Sequence, residues 1–330
     1  MSYISQFETG PLTVTGERPP VLDPLVSRLN NLLPSHAEST LEVEARIGML
    51  MRGKSGERIS MPIVSETALP PPSDAMHYEF SADVGPIVFD KIKHHLLALS
   101  NNSVHSDTHP LFKVSSVKET STVDEFYERG GDRVRVSLSS DEVVEVISKK
   151  RLHVLDVYSG SFSEEPDGLR PFDLRLSVNE ERKIHNFVRD ARVATGRREK
   201  QRFSFELKGF VIDLTRVSAR DRSGERVTHE VEVELKTPLL IEQLERKRNG
   251  QSHALYEILT DFIFAVRDLA WSFSAEAGQA SGDLMHDPSK VKHSDERIRN
   301  YLAKVGNVQP LLGDYLYRIA NELKSSQMNH

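Results

Sequence analysis

The chain has 330 residues, a formal net charge of -6 at pH 7 and no cysteine. The acidic balance excludes a uniformly basic surface of the kind that binds duplex nucleic acid, so any phosphate site must be local. The lack of cysteine excludes disulfides, cysteine-ligated zinc and thiol catalysis. Because the sequence has no run of about eighteen apolar residues and no signal-peptide pattern in its first thirty residues, we expect neither a membrane span nor secretion.

The first predicted elements are a helix, a strand and a loop. Apolar residues recur at helical spacing between Leu22 and Leu33, which predicts an amphipathic helix that ends before Pro34. The stretch Leu41–Met49 alternates by two and predicts the first strand. Residues 51–77 are rich in Gly, Ser and Pro, which predicts a loop or a mobile insertion.

A second helix precedes a long run of strands. Apolar residues in Val88–Leu99 again lie three and four positions apart, as in a helix. From residue 112 to residue 236 the period changes to two, in short segments rich in Val, Ile and Phe that Gly, Asp and Ser separate. Together with the first strand these give about eight strands, enough for a closed antiparallel barrel. The charged segment 182–199 between two of them is predicted to be a surface loop or a short helix.

The last strong helical pattern is Leu255–Phe273, which we expect to pack on the sheet. We therefore predict an α+β fold, with a closed eight-stranded antiparallel barrel and helices packed on its outside. The expected organisation is a flexible N-terminus over residues 1–20, one domain over 21–273, and a polar tail over 274–330. That tail includes a short helical segment, Tyr315–Leu323.

One face of most predicted strands is charged. Side chains two positions apart share one side of a strand, so these groups form charged rows. The rows are Glu42, Glu44 and Arg46; Arg133 and Arg135; Lys149 and Arg151; Arg175; Lys200 and Arg202; Asp213 and Thr215; and Glu230, Glu232 and Glu234. The opposite sides carry apolar residues that the helices can cover. Because acids cluster on the terminal strands and bases on the middle ones, we predict that the rows point into a charged lumen that holds a charged ligand.

The clustered glutamates favour a bound cation. Side chains two apart on a strand lie ~6.6 Å apart, and at an effective dielectric of about 20 two carboxylates at that distance repel by roughly 2.5 kcal/mol. Such rows become protonated unless a cation lies among them. Oxygen ligands without cysteine or a histidine pair favour Mg²⁺ or Mn²⁺ over zinc. The neighbouring Arg and Lys residues suit a polyanion such as a triphosphate.

Two motifs carry a family resemblance. The stretch LEVEARIG (41–48) resembles the first motif of the fungal and protozoal metal-dependent RNA 5'-triphosphatases, and THEVEVELKTP (228–238) resembles their last motif. The segments FDLRLSVNEE, KQRFSFE and VIDLTRVS occur between them in that family's order. The resemblance covers roughly Leu22 to Phe273. It implies a triphosphate tunnel whose catalytic domain spans 21–273 and a hydrolase that removes the γ-phosphate from nascent RNA, the first step of mRNA capping.

The resemblance also implies roles for individual residues. Metal ligands would be Glu42, Glu44 and Glu234. Glu181 would orient the attacking water, and Glu230 and Glu232 would hold metal-bound water or position basic neighbours. The side chains that would bind the phosphates are Arg133 or Arg135, Lys149, Arg175, Lys200 and Arg202. Asp213 and Thr215 would support them from the floor of the tunnel.

The chain departs from the family pattern in two places. Where the family often has a basic residue two positions before Asp213, this chain has Val211, so either Lys208 or Arg216 would take that role or the ligand would be bound more weakly. Some fungal members carry a Trp-rich segment upstream of the barrel that docks on the guanylyltransferase, whereas the single tryptophan here is Trp271. As partners, the resemblance implies the 5'-triphosphate end of RNA, an mRNA guanylyltransferase and a homodimer, and as location the nucleus.

Two other functions stay open at this point. A tunnel enzyme of the same chemistry would act on a small substrate such as thiamine triphosphate, inorganic polyphosphate or a nucleotide. Its members usually have Lys at the position of Arg46 and place the first motif at the extreme N-terminus. Alternatively, a catalytically silent β-rich interaction module would use the acids to bind a structural cation or a basic partner. Phosphate release from RNA, ATP and tripolyphosphate separates the three.

Overall fold

The structure, a computed structural model, describes most of the predicted central domain. The described residues are 23–273, without 35–39, 54–55, 62, 64, 74–75, 102–113, 130–131, 161–170 and 222–223. The expected flexible N-terminus over 1–20, the tail over 274–330 and its helical segment Tyr315–Leu323 lie outside the described residues.

Four helices and ten strands follow one another in the described part of the chain. The helices are α1 (Pro24–Leu32), α2 (Pro86–Asn101), α3 (Thr237–Arg248) and α4 (Leu255–Ser272). The strands are β1 (Leu41–Met51), β2 (Thr67–Ala68), β3 (Glu79–Ser81), β4 (Ser116–Arg129), β5 (Asp132–Ser139), β6 (Glu142–Tyr158), β7 (Asp173–Lys183), β8 (Gly196–Glu206), β9 (Phe210–Asp221) and β10 (Gly224–Leu235).

Eight of the strands close into an antiparallel barrel. Their order around the barrel is β1-β10-β9-β8-β4-β5-β6-β7, and β7 pairs back onto β1. At the closure Glu44 lies opposite Glu234 on one side and opposite Ser177 on the other. The short strands β2 and β3 extend the sheet by pairing with β6 and β1. The predicted closed eight-stranded antiparallel barrel is confirmed.

The barrel has two ends that differ in their connections. We call one the α3 end, because β1 begins there and β10 ends there and leads into α3. At the opposite end β4 ends and β5 begins, and β8 starts beside them. Residues near the start of β1 and the finish of β10 are therefore far along the barrel axis from those at the start of β5 and β8.

The helices cover one outer side of the barrel. Apolar side chains on the outer faces of β1, β7, β9 and β10 pack with helical residues in one continuous core, in which Val43, Ala45 and Ile47 of β1 are fully buried. Helix α1 is capped by Asp23, whose carboxylate accepts a hydrogen bond from the Leu25 amide at 2.8 Å. Helices α1, α2 and α4 confirm the three predicted barrel helices. None of the described helices has the length and apolar character needed to cross a bilayer.

A second, smaller apolar cluster covers the outer side of β4 and β5. Tyr127, Val134, Val136 and Leu138 pack there against residues of the segment 184–195. Arg189 of that segment donates two hydrogen bonds of 2.7 Å to the buried carboxylate of Glu125. The charged segment predicted as a loop or short helix is thus a loop with one 3-10 turn at Ala191–Val193.

The segment over 51–77 packs on the barrel through its described residues. Its apolar side chains form a cluster with Leu50, Tyr78 and Tyr158. Arg58 donates to the fully buried carboxylate of Asp173, from Nε at 2.9 Å and from Nη2 at 2.5 Å. The described residues of the predicted loop are therefore anchored to the barrel.

Candidate functional site

The charged rows point into the barrel. Lys149 lies on β6 and Glu44 on β1, two strands that β7 separates, yet Lys149 Nζ is 3.0 Å from Glu44 Oε2. Similarly, Arg202 on β8 reaches across β9 to Glu232 on β10, with Nη2 3.6 Å from Oε2. Val43 and Ala45, which alternate with Glu42 and Glu44 along β1, pack in the core beneath the outer helices, so the charged side of the strand faces inward. The predicted charged lumen is therefore present.

Carboxylates gather near the α3 end of the lumen. Glu42 and Glu44 are only 7% and 5% exposed, although both are ionisable. Burial raises the pKa of each of them, against the attraction of Lys149. Burial and the nearby Glu42 together raise the pKa of Glu234 to about 8. Keeping these three carboxylates ionised therefore costs free energy, which a bound cation would offset.

Lys149 lies among these carboxylates, and Arg46 approaches Glu44 at 3.5 Å. Its ammonium lies 2.5 Å from Glu42 Oε2 and 3.0 Å from Glu44 Oε2, and 3.5 Å from Glu181 Oε1. Although burial alone would lower the pKa of Lys149, Glu44 and Glu42 raise it. Glu42 also accepts a hydrogen bond of 2.8 Å from the side-chain amide of Asn179. Lys149 thus occupies the position between the two β1 carboxylates.

A divalent metal fits the chemistry of this cluster but not its present side-chain arrangement. The donors are all carboxylate oxygens, which suit Mg²⁺ or Mn²⁺. Within the described residues, no three His, Asp or Glu side chains already form a group that would hold a metal ion. Binding a metal between Glu42 and Glu44 would require the Lys149 ammonium to move out from between them. Glu234, whose pKa is raised to about 8, stands beside them as a third oxygen donor.

The middle of the acidic row on β10 is neutralised by arginines. Glu232 lies 2.5 Å from Nε of Arg46. Although burial alone would raise the pKa of Glu232, Arg46 and Arg202 hold it below its usual range. For Glu230, burial and repulsion from Glu232 raise the pKa. Neighbouring glutamates on one strand are thus driven toward different charge states.

The basic residues are held in place by acidic and hydroxyl partners. Arg202 donates to Thr215 Oγ1 at 3.0 Å and to Asp213 Oδ2 at 2.8 Å, so these two residues position it. Lys200 Nζ lies 2.5 Å from Asp124 Oδ2. Arg135 pairs with Glu145 at 3.2 Å, while its buried Nε has no hydrogen-bond partner among the described residues. A buried donor without a partner is costly, so this atom is suited to an anionic ligand.

Arg175 and Arg133 lie away from the carboxylate cluster. Arg175 donates twice to the buried carboxylate of Asp156, at 2.6 and 2.8 Å, and its guanidinium lies 4.8 Å from the centre of the Phe80 ring. Arg133, near the opposite end of the barrel, is exposed and lies over the Phe126 ring at 4.1 Å. The predicted basic residues are therefore distributed along the whole lumen.

The structure distinguishes the predicted lumen residues from their neighbours on the outer face. Glu181 faces the lumen beside Lys149, whereas the adjacent Glu180 pairs with the exposed Arg182 at 2.6 Å. Arg216 is exposed and lies opposite His229 on the outer face, so it does not replace the basic residue missing at Val211.

Several polar lumen residues were not given a role from the sequence. Asp124 and Asp156 pair with Lys200 and Arg175, and Asn179 donates to Glu42. Alternation alone could show which residues share a side of β4, but only the cross-strand register shows that the side with Asp124 faces inward. Asp156 could not be found by alternation with Lys149 and Arg151, because a bulge between Arg151 and His153 shifts the phase of β6.

Comparison with known proteins identifies the family of the chain. The sequence profile of the family described as "mRNA capping enzyme, beta chain" matches residues 26–272. The curated mRNA-capping enzyme subunit beta of Yarrowia lipolytica is 26% identical over 232 residues, which are 68% of this chain and 53% of that protein. The protein of the same name from Schizosaccharomyces pombe is 24% identical over 248 residues, 73% of this chain and 77% of that protein.

The fold also matches a solved structure, that of S. pombe Pct1 RNA triphosphatase in complex with the Spt5 CTD. Its TM-score is 0.63 at 23% sequence identity, and the match covers 79% of this chain and 96% of that chain. Against the Yarrowia and Cryptococcus neoformans relatives, the chain spans about half of their length, 53% and 56%. Since the family profile extends over the whole barrel and its helices, the chain belongs to the mRNA capping enzyme beta chain family.

Proposed function

We propose that the protein is an RNA 5'-triphosphatase that hydrolyses the γ-phosphate of 5'-triphosphate RNA to leave 5'-diphosphate RNA, the first step of mRNA capping. One observation carries the proposal. In a member of the capping enzyme beta chain family, an enclosed lumen holds carboxylates near one end and lysine and arginine side chains along its length. Such a lumen suits a linear polyphosphate and excludes most of the bulk water.

The metal would be Mg²⁺ or Mn²⁺, held by Glu42, Glu44 and Glu234. When bound, it would neutralise charge on the terminal phosphate and favour attack at phosphorus. Lys149 would leave its place between Glu42 and Glu44 and turn to the phosphate oxygens. Glu230 and Glu232 would hold water of the metal or keep Arg46 in position, since Arg46 already contacts Glu232.

The remaining chemistry would be done by side chains of the lumen. Lys200 and Arg202, with Arg135, would hold the β- and γ-phosphate oxygens and stabilise the charge that develops on them in the transition state. Asp213 and Thr215 would keep Arg202 aimed at the phosphate through the hydrogen bonds described above. Phosphoryl transfer needs positioning and charge stabilisation rather than a covalent nucleophile.

Glu181 would hold the attacking water in line with the scissile bond. Its carboxylate lies in the lumen beside Lys149, at 3.5 Å. Arg133 and Arg175 would contact the substrate nearer the opposite end, where both lie on aromatic rings. Arg175 would do so while still bound to Asp156.

The proposal extends to partners and location. The relatives are named as subunits of mRNA-capping enzymes, which supports an mRNA guanylyltransferase as partner and the nucleus as the site of action. A homodimer is part of the same proposal. Co-purification with the guanylyltransferase and the mass of the isolated protein in solution test these two points.

The test of the activity is release of phosphate from three substrates, each with Mg²⁺ or Mn²⁺. The substrates are a 5'-triphosphorylated oligoribonucleotide, ATP and tripolyphosphate. We expect release of one phosphate per RNA, leaving a 5'-diphosphate end. Hydrolysis of the small substrates alone would replace the proposal with a small-substrate tunnel enzyme, and a folded protein inactive on all three would leave only an interaction module.

Substitution of the metal ligands tests the assignment within the same assay. Glu42→Ala, Glu44→Ala and Glu234→Ala are each expected to lower turnover by at least about a hundredfold, because each removes one ligand. Glu181→Ala is expected to lower turnover similarly, whereas its neighbour Glu180→Ala, which changes an outer carboxylate, serves as the matched control. Three ligand variants with activity within a few-fold of wild type would refute the metal site.

A further inference from the structure

Two arginines of the lumen, Arg133 and Arg198, make no ion pair with a described carboxylate and contact the same aromatic ring. Six other lumen cations each make an ion pair: Arg46, Arg135, Lys149, Arg175, Lys200 and Arg202. Among the residues that the structure describes, Arg151, on the lumen row of β6, also makes no such pair, but it lies on neither this ring nor another. Arg133 and Arg198 are therefore two positive charges held side by side without a carboxylate of the described chain at ion-pair distance.

Both arginines lie against the same aromatic ring. The guanidinium carbon of Arg133 is 4.1 Å from the centre of the Phe126 ring, and that of Arg198 is 4.4 Å from it. Phe126 is buried and so holds a fixed position. Stacking on a fixed ring pre-orients a guanidinium and leaves its N–H groups free to bind an anion.

The two like charges do not stabilise each other. Burial lowers the pKa of Arg198 even though Glu230 and Asp124 attract its charge, and repulsion from Arg133 lowers it further. A purely structural pair would be expected to include a carboxylate at bonding distance. An anionic ligand placed between or beside the two guanidinium groups would supply the missing charge.

The two arginines and the carboxylate cluster lie toward opposite ends of the lumen, so a bound substrate would have a defined orientation. Arg133 is near the start of β5, Arg198 is near the start of β8, and both starts lie at the opposite end of the barrel. Glu42 and Glu234 lie near the α3 end. A substrate whose terminal phosphate reaches the carboxylates from the opposite end would leave its remaining chain beside Phe126.

We infer that Phe126, Arg133 and Arg198 form a subsite for the first nucleotides of the RNA, immediately beyond the triphosphate, and that the RNA enters through the opposite end of the barrel. The inference rests on the proposed function. A guanidinium group binds a phosphodiester through two parallel N–H donors, and its flat face also stacks on a base. The subsite would distinguish a 5'-triphosphate RNA from a free tripolyphosphate, which has nothing to place there.

The test compares Arg198→Gln with Arg197→Gln. Arg197 is the adjacent residue on β8, exposed and on the outer face, so its substitution removes the same charge from the surface. Binding of a fluorescent 5'-diphosphate oligoribonucleotide is measured by anisotropy as a function of salt. We expect Arg198→Gln to weaken binding by about tenfold and to reduce the slope of log affinity against log salt by about 0.7, as for one lost phosphate contact on a single strand.

Steady-state turnover is the second measurement of the test. The ratio of kcat/KM for 5'-triphosphate RNA to kcat/KM for tripolyphosphate is expected to fall by about tenfold in Arg198→Gln, as for one lost charge-assisted contact, and to stay at the wild-type value in Arg197→Gln. Arg198→Lys, which keeps the charge but loses the stacked fork, is expected to lie between them. Thermal unfolding shows whether each variant is folded.

Equal losses on both substrates, or equal effects of Arg197→Gln and Arg198→Gln, would overturn the subsite. The binding arm does not depend on catalysis. If the wild-type protein released no phosphate from RNA but bound the oligonucleotide in an Arg198-dependent manner, the proposed function would fail and the RNA subsite would stand. If the wild-type protein released phosphate from RNA but Arg198→Gln bound the oligonucleotide as tightly as wild type, the proposed function would stand and the RNA subsite would fail.

Discussion

Among the described carboxylates, Glu234 has a pKa that lies well toward neutral pH. Its pKa is about 8 in the folded protein, because of burial and the nearby Glu42, against an ordinary value of 4.5. A carboxyl with a raised pKa stabilises the fold fully below its unfolded pKa, and the stabilisation is lost as the pH rises toward the folded pKa. Without a divalent metal, the free energy of unfolding should therefore decrease between about pH 4.5 and pH 8.

The variant Glu234→Gln should remove this part of the pH dependence. At pH 8 and in the presence of a chelator, we expect it to unfold at a temperature higher than that of wild type by about 2–4 °C, which corresponds to about 1 kcal/mol for a domain of this size. At pH 4.5 the two proteins should unfold at the same temperature. Glu180→Gln, at an outer ion pair, is the control. A lower unfolding temperature for Glu234→Gln at pH 8 would contradict the raised pKa.

A substitution at Lys149 tests how this residue affects metal binding, because its ammonium contacts two of the carboxylates assigned to the metal. The metal must displace it, so Lys149→Met should bind Mn²⁺ more tightly than wild type in the absence of substrate. We expect a gain of about fivefold or more by calorimetry. The same variant should lose phosphate affinity, which would appear as a higher KM. Mn²⁺ affinity equal to or weaker than that of wild type would show that Lys149 does not compete for the site.

Among the elements, the segment 184–195 is joined to the barrel by its apolar contacts and by one ion pair with a buried carboxylate. Hydrogen bonds from Arg189 hold the pKa of Glu125 down at about 2. This stabilisation is present above the ordinary value of 4.5 and is lost as the pH falls toward 2. At neutral pH, Arg189→Met should release the segment, because Glu125 would keep only its bond from Tyr127.

Hydrogen exchange measures that release directly. In Arg189→Met, amides of 184–195 should exchange at least about tenfold faster than in wild type, with the lumen strands unchanged. Arg192→Met is the matched control, since Arg192 pairs with Asp190 at the surface and its side chain is 88% exposed. Equal protection in the two variants would mean that the Glu125 contact does not hold the segment.

Some of the helices and strands could be predicted from the sequence, and others could not. Helices α1, α2 and α4 were predicted because each carries an apolar stripe that the barrel needs. Helix α3 was not, because only Leu240, Gln243 and Leu244 of it are buried and its last turn is basic. The strands β2 and β3 have two and three residues, too few for a period to be visible.

For the whole molecule, alternation along the strands was enough to predict a barrel with charged residues inside. It could not supply the contacts across the lumen, because these depend on which strands face each other. Asp124 lies beside Lys200 because β4 pairs with β8, and Lys149 reaches Glu42 and Glu44 because β7 lies between β6 and β1. The barrel thus explains why acids from both ends of the described domain meet, since β1 and β10 are its closing pair.

The central claim is that closure of the barrel assembles one metal and phosphate site from these distant rows. Crystals of the protein soaked with Mn²⁺ and tripolyphosphate, measured at the manganese absorption edge, test it most directly. The account predicts an anomalous peak in the lumen in contact with oxygens of Glu42, Glu44 and Glu234, with the Lys149 ammonium turned to the phosphate. Manganese bound only outside the lumen, with Lys149 still between Glu42 and Glu44, would contradict it.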